Sequence, residues 1–231
     1  MYYINIYNII SMSKQRKSLQ SQSKSNHTHK SLHTNSHKST NTYKQLTQTI
    51  SYAINNNLIE VVYKNKQEQT QDLSSMAVYF EDTRYTKTYL TYSEIKQKHL
   101  TVLNYMGFNF SSEQIDTYIQ ETKDTLFKDK FRDILSHFND RYYFVSYIQG
   151  DTNTRDHELA HYEFWNNTQH NKTIQKLIQQ GLCNTLTKEF LKLGYSEDVI
   201  PTEIYAFTKI EDKTLPLIIK REISHIKRYI L

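Results

Sequence analysis

The chain has 231 residues, a formal charge of +5 and a single cysteine, Cys183. This length is sufficient for one domain with a buried core, and one cysteine excludes an intrachain disulfide and a cysteine-based zinc knuckle. The excess positive charge lies at the start, because residues 1–59 contain seven basic and no acidic residues, which leaves 22 basic and 24 acidic residues in the remainder. The composition therefore predicts a nearly neutral folded region behind a basic segment.

Residues 1–43 are predicted to form a disordered, basic, low-complexity tail. From residue 12 onward this segment consists mostly of Ser, Lys, His, Gln, Asn and Thr, so it has too few apolar side chains to offset the entropy lost on ordering. The opening ten residues, MYYINIYNII, are apolar but too short to span a bilayer, and they lack the features of a signal peptide. Met12 is an alternative start to Met1. We expect an intracellular, cytoplasmic protein without a membrane span.

Residues 44–231 are predicted to form one folded domain that begins with a helix. Leu46, Ile50 and Ile54 recur every four residues, which is the spacing of one helix face. Three runs rich in β-branched and aromatic residues follow and predict short strands. These runs are LIEVVY, MAVYF and TKTYLTY.

Two helices are predicted next from their capping residues. Ser93 is expected to begin a helix that ends at Gly107. Ser111 or Ser112 is expected to begin one long amphipathic helix, because the apolar residues after it keep helical spacing. Those apolar residues are Ile115, Ile119, Phe127, Phe131, Ile134 and Phe138.

The second half of the chain predicts one strand followed by helices. Residues 141–150 form the strand, and helix signals begin at Thr154. Two further helices are predicted, one ending at Gly194 and one with Pro216 near its start. Their apolar faces contain Ile174, Leu177, Ile178, Leu182, Leu186 and Phe190 in the first and Ile219, Ile223, Ile226 and Ile230 in the second. The expected fold class is α+β, helix-rich with a small sheet.

The predicted helix after the strand carries the motif H-E-x-x-H, formed by His157, Glu158 and His161. Residues four apart lie on one helix face, so the two imidazoles can converge on one metal ion. Glu158 lies about 100° further round the helix axis, where its carboxylate can act as a general base on metal-bound water. The pattern predicts a catalytic zinc site with His157 and His161 as ligands and Glu158 as the catalytic residue. The alternative is two histidines packed on a helix face.

A second string, EIYA at residues 203–206, lies 42 residues after His161. With the first motif it resembles the gluzincin class of zincin metallopeptidases, in which E-x-x-A on a second helix follows H-E-x-x-H. The resemblance implies that Glu203 is the third zinc ligand and that the small Ala206 lets the two helices approach each other. It also implies a zincin-like domain with a bound Zn²⁺.

The order of motifs is also similar to that of uncharacterised H-E-x-x-H proteins of large nucleocytoplasmic DNA viruses. The likeness rests on Thr154, His157, Glu158 and His161, then on the strings LGY and EIYAF, and it covers about residues 140–210. If the protein is viral, a location in the virion is implied as well as a cytoplasmic one.

The chain departs from the gluzincin pattern at Phe207, where many members have an Asp that orients a zinc-ligating histidine. This departure bears on activity more than on metal binding. No residue of the sequence identifies an oxyanion stabiliser, for which Tyr205 and His225 are the candidates considered. Alternative metal ligands are Glu163, His170, Glu197 and Asp198.

The function predicted from these residues is that of a zinc-dependent metallopeptidase, which hydrolyses peptide bonds with metal-activated water and has a peptide or protein substrate. The alternative is a non-catalytic scaffold or virion-type protein that keeps the zincin-like fold. In either case the basic tail is a candidate for binding nucleic acid or another anionic surface.

Overall fold

The computed structural model describes residues 43–193, 195–210 and 217–230. Within these ranges the chain is α+β and helix-rich, as predicted, with one five-stranded sheet. The strands are β1 (Lys44–Gln45), β2 (Ile50–Asn55), β3 (Leu58–Tyr63), β4 (Gly107–Ser111) and β5 (Tyr143–Ile148). The helices are α1 (Lys66–Glu81), α2 (Tyr92–Gln97), α3 (Ser112–Thr122), α4 (Leu126–Leu135), α5 (Thr152–Asn166), α6 (Thr168–Gln179), α7 (Asn184–Leu193), α8 (Ile200–Lys209) and α9 (Leu217–Ile230), with a 3₁₀ turn at Thr101–Asn104.

The sheet is mixed and has the order β1-β2-β3-β5-β4. Strands β2 and β3 form an antiparallel hairpin, β3 pairs in parallel with β5, and β4 pairs antiparallel with β5. Strand β4 is therefore an edge strand. Gly107 and Asn109 of β4 lie opposite Tyr147 and Val145 of β5, which places this edge next to the start of the motif helix.

The apolar side chains form two large buried clusters. The sheet lies between the helices of the first cluster and the helices of the second. The first cluster contains residues of α1 to α4 together with Ile59, Phe110 and Phe144 of the strands. The second consists of residues of α5 to α9. A smaller group, Leu58, Tyr143 and Val145, packs against the motif helix α5. Helix α5 is thus buried between the sheet and α8.

The structure confirms the strand β3 within LIEVVY, the strand β5 within residues 141–150, and the helices α5 and α9. It also confirms Ser111 as a helix cap: its side chain accepts from the Gln114 amide, and Gln114 completes a capping box. On α9 the buried residues are Ile219, Ile223 and Ile226, which is the predicted face.

The helix predicted from Leu46, Ile50 and Ile54 is wrong, because residues 44–55 form β1, β2 and the bend between them. Asn56 adopts a left-handed backbone with φ of 54° and, with Asn57, connects β2 to β3 as a two-residue turn. The strands predicted at MAVYF and TKTYLTY are also wrong. The first run is the end of helix α1, and the second is irregular chain before α2. Burial of MAVYF explains the error, since a buried helix segment and a buried strand share the same composition.

Other predicted helix bounds are corrected by local backbone geometry. Thr91, not Ser93, caps α2 through a capping box with Glu94, and Gly107 begins the strand β4 instead of ending a helix. The long helix after Ser111 is two helices, since Lys123 has a left-handed φ of 56°. The helix predicted to end at Gly194 is also divided, into α6 and α7, at Gly181 with φ of 73°.

Three predictions concern residues outside the described ranges: the tail over residues 1–42, the helix end at Gly194, and the role of Pro216. Tyr43, the last residue assigned to the tail, is described, and its hydroxyl hydrogen-bonds with Glu60 (3.1 Å) and Tyr147 (2.8 Å). In the part of the chain that the structure describes, no helix has the length and apolar character needed to cross a membrane.

Candidate metal centre

The motif helix α5 begins directly after strand β5 because of residues 150 and 151. Gly150 takes a positive φ of 86° that allows the tight turn. Asp151 then caps the helix, since its carboxylate accepts hydrogen bonds from the amide (3.0 Å) and hydroxyl (2.7 Å) of Thr154. From this start, His157 and His161 lie on the helix face that turns toward α8.

Helix α8 brings Glu203 to the same place. Pro201 occupies its first turn, where a missing backbone N–H costs nothing. Ala206, one turn after the Glu203 position, is fully buried within the cluster that α5 and α8 share. The sequence-predicted ligands His157, His161 and Glu203 are therefore brought together across two helices, and one ligand atom of each lies within 4.8 Å of the others.

The three candidate ligand groups point their donor atoms at one another. The Nε2 atoms of His157 and His161 are 3.1 Å apart. Glu203 Oε2 lies 3.6 Å from His157 Nε2, and Glu203 Oε1 lies 3.7 Å from His161 Nε2. The three residues are only 5%, 2% and 8% exposed. Such a set of donors can hold a divalent cation.

The electrostatics of the cluster follow from its burial. Burial lowers the pKa of His161 to about 4. At His157 burial lowers the pKa, but Glu203 and Glu158 outweigh it and raise the pKa above its ordinary value. Burial raises the pKa of Glu203, whereas His161 and His157 lower it by more, so the net shift is downward. Glu203 is thus an ionised carboxylate between two imidazoles.

Glu158 lines the same small pocket as the three candidate ligands. It is 6% exposed, and its carboxylate accepts a hydrogen bond of 2.7 Å from Asn109 of strand β4. Burial raises the pKa of Glu158 to about 7, with opposing contributions from His157 and Asn109. A carboxylate with a pKa in this range can accept and return a proton near neutral pH.

Two residues that the sequence did not identify as partners hold the histidines. Thr202 Oγ1 lies 2.7 Å from His161 Nδ1, which leaves His161 Nε2 directed at the cluster. Phe207, at the position where many gluzincins have Asp, packs edge-on against His157 with ring centroids 5.2 Å apart. His157 therefore has an aromatic ring where the family pattern supplies a carboxylate.

The alternative ligands lie away from the cluster. Glu163 accepts a hydrogen bond from Tyr205 (3.0 Å) and forms an ion pair with Lys209 (3.0 Å). His170 stacks on the Tyr205 ring at 4.8 Å. Glu197 and Asp198 are exposed in the turn before α8.

The contacts of Tyr205 with Glu163 and His170 also argue against a role for it as an oxyanion stabiliser. His225 lies on α9, where its ring contacts Tyr229 at 5.4 Å.

The cluster opens into a larger cleft of about 640 Å³. Asn109 and Ser111 of edge strand β4 form one wall, and Trp165, one turn after His161 on α5, forms another. Glu81, at the end of α1, lines both the small pocket and this cleft. The candidate ligands are therefore reached from this cleft along strand β4.

Comparisons of the chain with protein-family models, with curated proteins and with solved structures find no match. The resemblance to gluzincins and to the viral H-E-x-x-H proteins therefore rests on the motif residues alone.

Sequence inspection missed Gly107, Asn109 and Thr202, all of which contact the motif residues. Thr202 directly precedes Glu203, and the position of its hydroxyl next to a proposed ligand could have identified it from the sequence. Asn109 and Gly107 gave no comparable signal, because FNF was not identified as a strand and no spacing rule joins them to Glu158.

Proposed function

We propose that this protein is a zinc-dependent metallopeptidase in which His157, His161 and Glu203 hold the zinc ion. The observation that carries the proposal is the convergence of the three groups. The two Nε2 atoms are 3.1 Å apart, Glu203 Oε2 and Oε1 lie 3.6 and 3.7 Å from the Nε2 atoms of His157 and His161, and one ligand atom per residue lies within 4.8 Å of the others. A tetrahedral zinc ion with bonds of about 2.0 to 2.2 Å places its ligand atoms roughly 3.3 to 3.6 Å apart. Three protein ligands also leave a fourth position open, as catalytic zinc sites do.

A buried oxygen atom in the cluster supports a cation at this place. Glu203 Oε2 accepts no hydrogen bond from the described residues, although it is shielded from solvent. Its nearest histidine nitrogen, His157 Nε2 at 3.6 Å, is beyond hydrogen-bond distance, and a buried carboxylate oxygen without a hydrogen bond is costly. Coordination of a cation between Glu203 and the two imidazoles would satisfy this oxygen. The small pocket of about 50 Å³ beside them has room for an ion and its water.

The chemistry follows from the residues around the pocket. A zinc ion held by His157, His161 and Glu203 would polarise a carbonyl group and lower the pKa of bound water. Glu158 then accepts the proton of the attacking water and passes it to the nitrogen of the leaving amine. The edge strand β4 suits an extended peptide as substrate, because it pairs with β5 on one side and lies along the cleft on the other.

The test begins with the metal content of full-length protein that has never been exposed to chelator. Elemental analysis is expected to find about one zinc ion per chain, and His157→Ala and Glu203→Ala should lose most of it. Glu163→Ala and His170→Ala are matched controls, because both lie near the cluster but outside it, and they should keep the zinc. Metal-free wild-type protein, or equal loss in the controls, would contradict the proposed site.

The peptidase assignment needs a second measurement, because a metal site can be inert. Zinc-loaded wild-type protein is expected to cleave denatured β-casein. Glu158→Gln should keep the fold and the zinc and lose this cleavage, since an amide cannot accept the proton. Full cleavage by Glu158→Gln would remove Glu158 from the mechanism.

A further inference from the structure

Strand β4 contacts the Glu158 side chain at two residues, Gly107 and Asn109, which lie two positions apart and so on one face of the strand. At Gly107, an added Cβ atom would lie 2.3 Å from Glu158 Oε1 and 2.7 Å from its Cγ and Cδ atoms. Gly107 is not among the residues with positive φ. Glycine is therefore needed here for space and not for backbone conformation.

Asn109 supplies the polar half of the same contact. Its Nδ2 atom donates to Glu158 Oε2 at 2.7 Å, which is at the short end of the range for N–H···O hydrogen bonds. Its Oδ1 atom accepts a hydrogen bond of 2.6 Å from the Tyr143 hydroxyl. The opposite orientation of the amide would place two oxygen atoms against each other at the Glu158 carboxylate. The bond from Tyr143 therefore fixes which end of Asn109 faces Glu158.

The Tyr143 hydroxyl remains the donor in its hydrogen bond to Asn109. It is buried on β5, beside Trp165 at a ring distance of 5.1 Å. Burial raises its pKa well above the ordinary value, and the negative charges of Glu158, Glu81 and Glu203 raise it further. Its hydroxyl keeps its proton over the working pH range of most proteins.

We propose that Gly107, Asn109 and Tyr143 are positioning residues that hold the Glu158 carboxylate in place beside the candidate metal ligands. Gly107 leaves the space that the carboxylate occupies, Asn109 binds one of its oxygen atoms, and Tyr143 orients Asn109. This inference rests on the proposed function of Glu158 as the general base. The role differs from substrate binding, which the place of Asn109 on the cleft wall would also allow.

Kinetics of the zinc-loaded, full-length protein on denatured β-casein separate the two roles. Asn109→Leu keeps the branching and the number of heavy atoms of the side chain but removes the donor, and it should lower kcat roughly 10- to 100-fold with KM changed less than about twofold. Tyr143→Phe should lower kcat by less, about 3- to 10-fold, because Asn109 remains but is free to turn. The exposed Asn139→Leu is the matched control and should behave as wild type.

Gly107→Ala provides an independent variant. The atoms that its new methyl group would meet all belong to the Glu158 side chain, so the carboxylate should be displaced from Asn109. We expect a loss in kcat as large as that of Asn109→Leu, with one zinc ion retained and a fall in Tm no larger than that of Asn109→Leu. A rise in KM with kcat unchanged in these variants would assign Asn109 to substrate binding and overturn the proposal.

A thermal double-mutant cycle tests the contact without using activity. Asn109→Leu should lower the Tm by roughly 3 to 8 °C, because it leaves a buried carboxylate without its donor. In the Glu158→Ala background the same substitution should cost less than half of that, since the carboxylate is absent. An equal fall in Tm for Asn109→Leu in the wild-type and Glu158→Ala backgrounds would show that the contact between Asn109 and Glu158 does not exist. If the cycle shows coupling but wild-type protein cleaves no peptide, the proposed function fails and the contact is structural only.

Discussion

The imidazole Nδ1 of His161 lies 2.7 Å from the hydroxyl oxygen of Thr202. The helix that carries Glu203 thus also orients the second histidine of the motif. With a metal ion on Nε2, His161 would donate its Nδ1–H to this hydroxyl. The hydroxyl of Thr202 supplies for His161 the kind of support that gluzincins often obtain from a carboxylate.

Thr202→Val should weaken zinc binding roughly 10-fold without abolishing it, because the ligand set is intact but His161 loses its orienting partner. The measurement is a competition titration of the metal-free protein against a chromophoric chelator. Thr173→Val on α6 is the control, since this residue is half-buried and outside the cluster. An unchanged affinity in Thr202→Val would mean that packing alone orients His161.

Glu81 is predicted to make the metal-free protein less stable as the pH rises. Burial, and then the charges of Glu203 and Glu158, raise its pKa to about 8 from an ordinary value of 4.5. Between these two values the unfolded chain has lost the proton that the folded chain retains, so the free energy of unfolding falls with increasing pH. Glu81→Gln removes this penalty and should have a higher Tm than wild type at pH 8.

The gain in Tm of Glu81→Gln should shrink as the pH is lowered to 5, where Glu81 is protonated in the folded wild-type protein. Thermal unfolding of chelator-treated protein across this range provides the measurement. Glu197→Gln, at an exposed residue in the turn before α8, is the control for the loss of a carboxylate. A gain that is constant from pH 5 to pH 8 would indicate that ionisation of Glu81 does not contribute.

Arg155 connects the motif helix to the sheet through the buried Glu60. Glu60 is 2% exposed, and its carboxylate lies 3.0 Å from Arg155 Nε and 2.9 Å from the Tyr147 hydroxyl. Arg155→Met should lower the free energy of unfolding by about 2 to 3 kcal/mol, because it leaves a buried carboxylate without its cation. Because Arg155 is partly exposed, the expected loss in the free energy of unfolding is at the lower end of the range for breaking a buried ion pair.

Urea denaturation is the measurement for Arg155→Met, with Arg132→Met as the control. Arg132 forms an ion pair with Asp129 in which both side chains are exposed, so its loss should cost at most about 0.5 kcal/mol. The double variant Arg155→Met with Glu60→Gln should recover part of the lost stability, because no charge is then buried. An equal loss in the free energy of unfolding for Arg155→Met and Arg132→Met would show that the contact of Arg155 with Glu60 contributes nothing to stability.

Deletion of residues 1–42 is expected to leave the Tm within a few degrees of wild type, because residues 12–42 have little to bury and separate the short apolar start from the folded domain. A deletion that also removes Tyr43 should lower the Tm more, since the hydroxyl of Tyr43 contacts Glu60 and Tyr147. If the segment binds nucleic acid, the full chain should bind a DNA duplex in a manner that weakens with salt, and the shorter chain should not. A large loss of stability in the first deletion would place the domain boundary earlier.

The sequence by itself determined the features that depend on neighbours along the chain. The four-residue spacing of His157 and His161 places both on one helix face wherever the helix packs. The Ser111 cap, strand β5 and the isoleucine face of α9 were predictable for the same reason, since each is specified by residues within one or two turns. The α+β class followed from these elements.

Only the tertiary structure decided the features that depend on distant partners. The segment with Leu46, Ile50 and Ile54 has helical spacing, yet it pairs with β3 as a strand because an antiparallel partner and a turn at Asn56 are available. Strand β4 exists because β5 lies beside it, and only this pairing brings Asn109 to Glu158, 49 residues later. Glu203 was expected from a family resemblance, but its distance to the histidines depends on how α8 packs against α5. Local spacing determines contacts within a turn, whereas contacts between elements depend on pairing and burial across the whole chain.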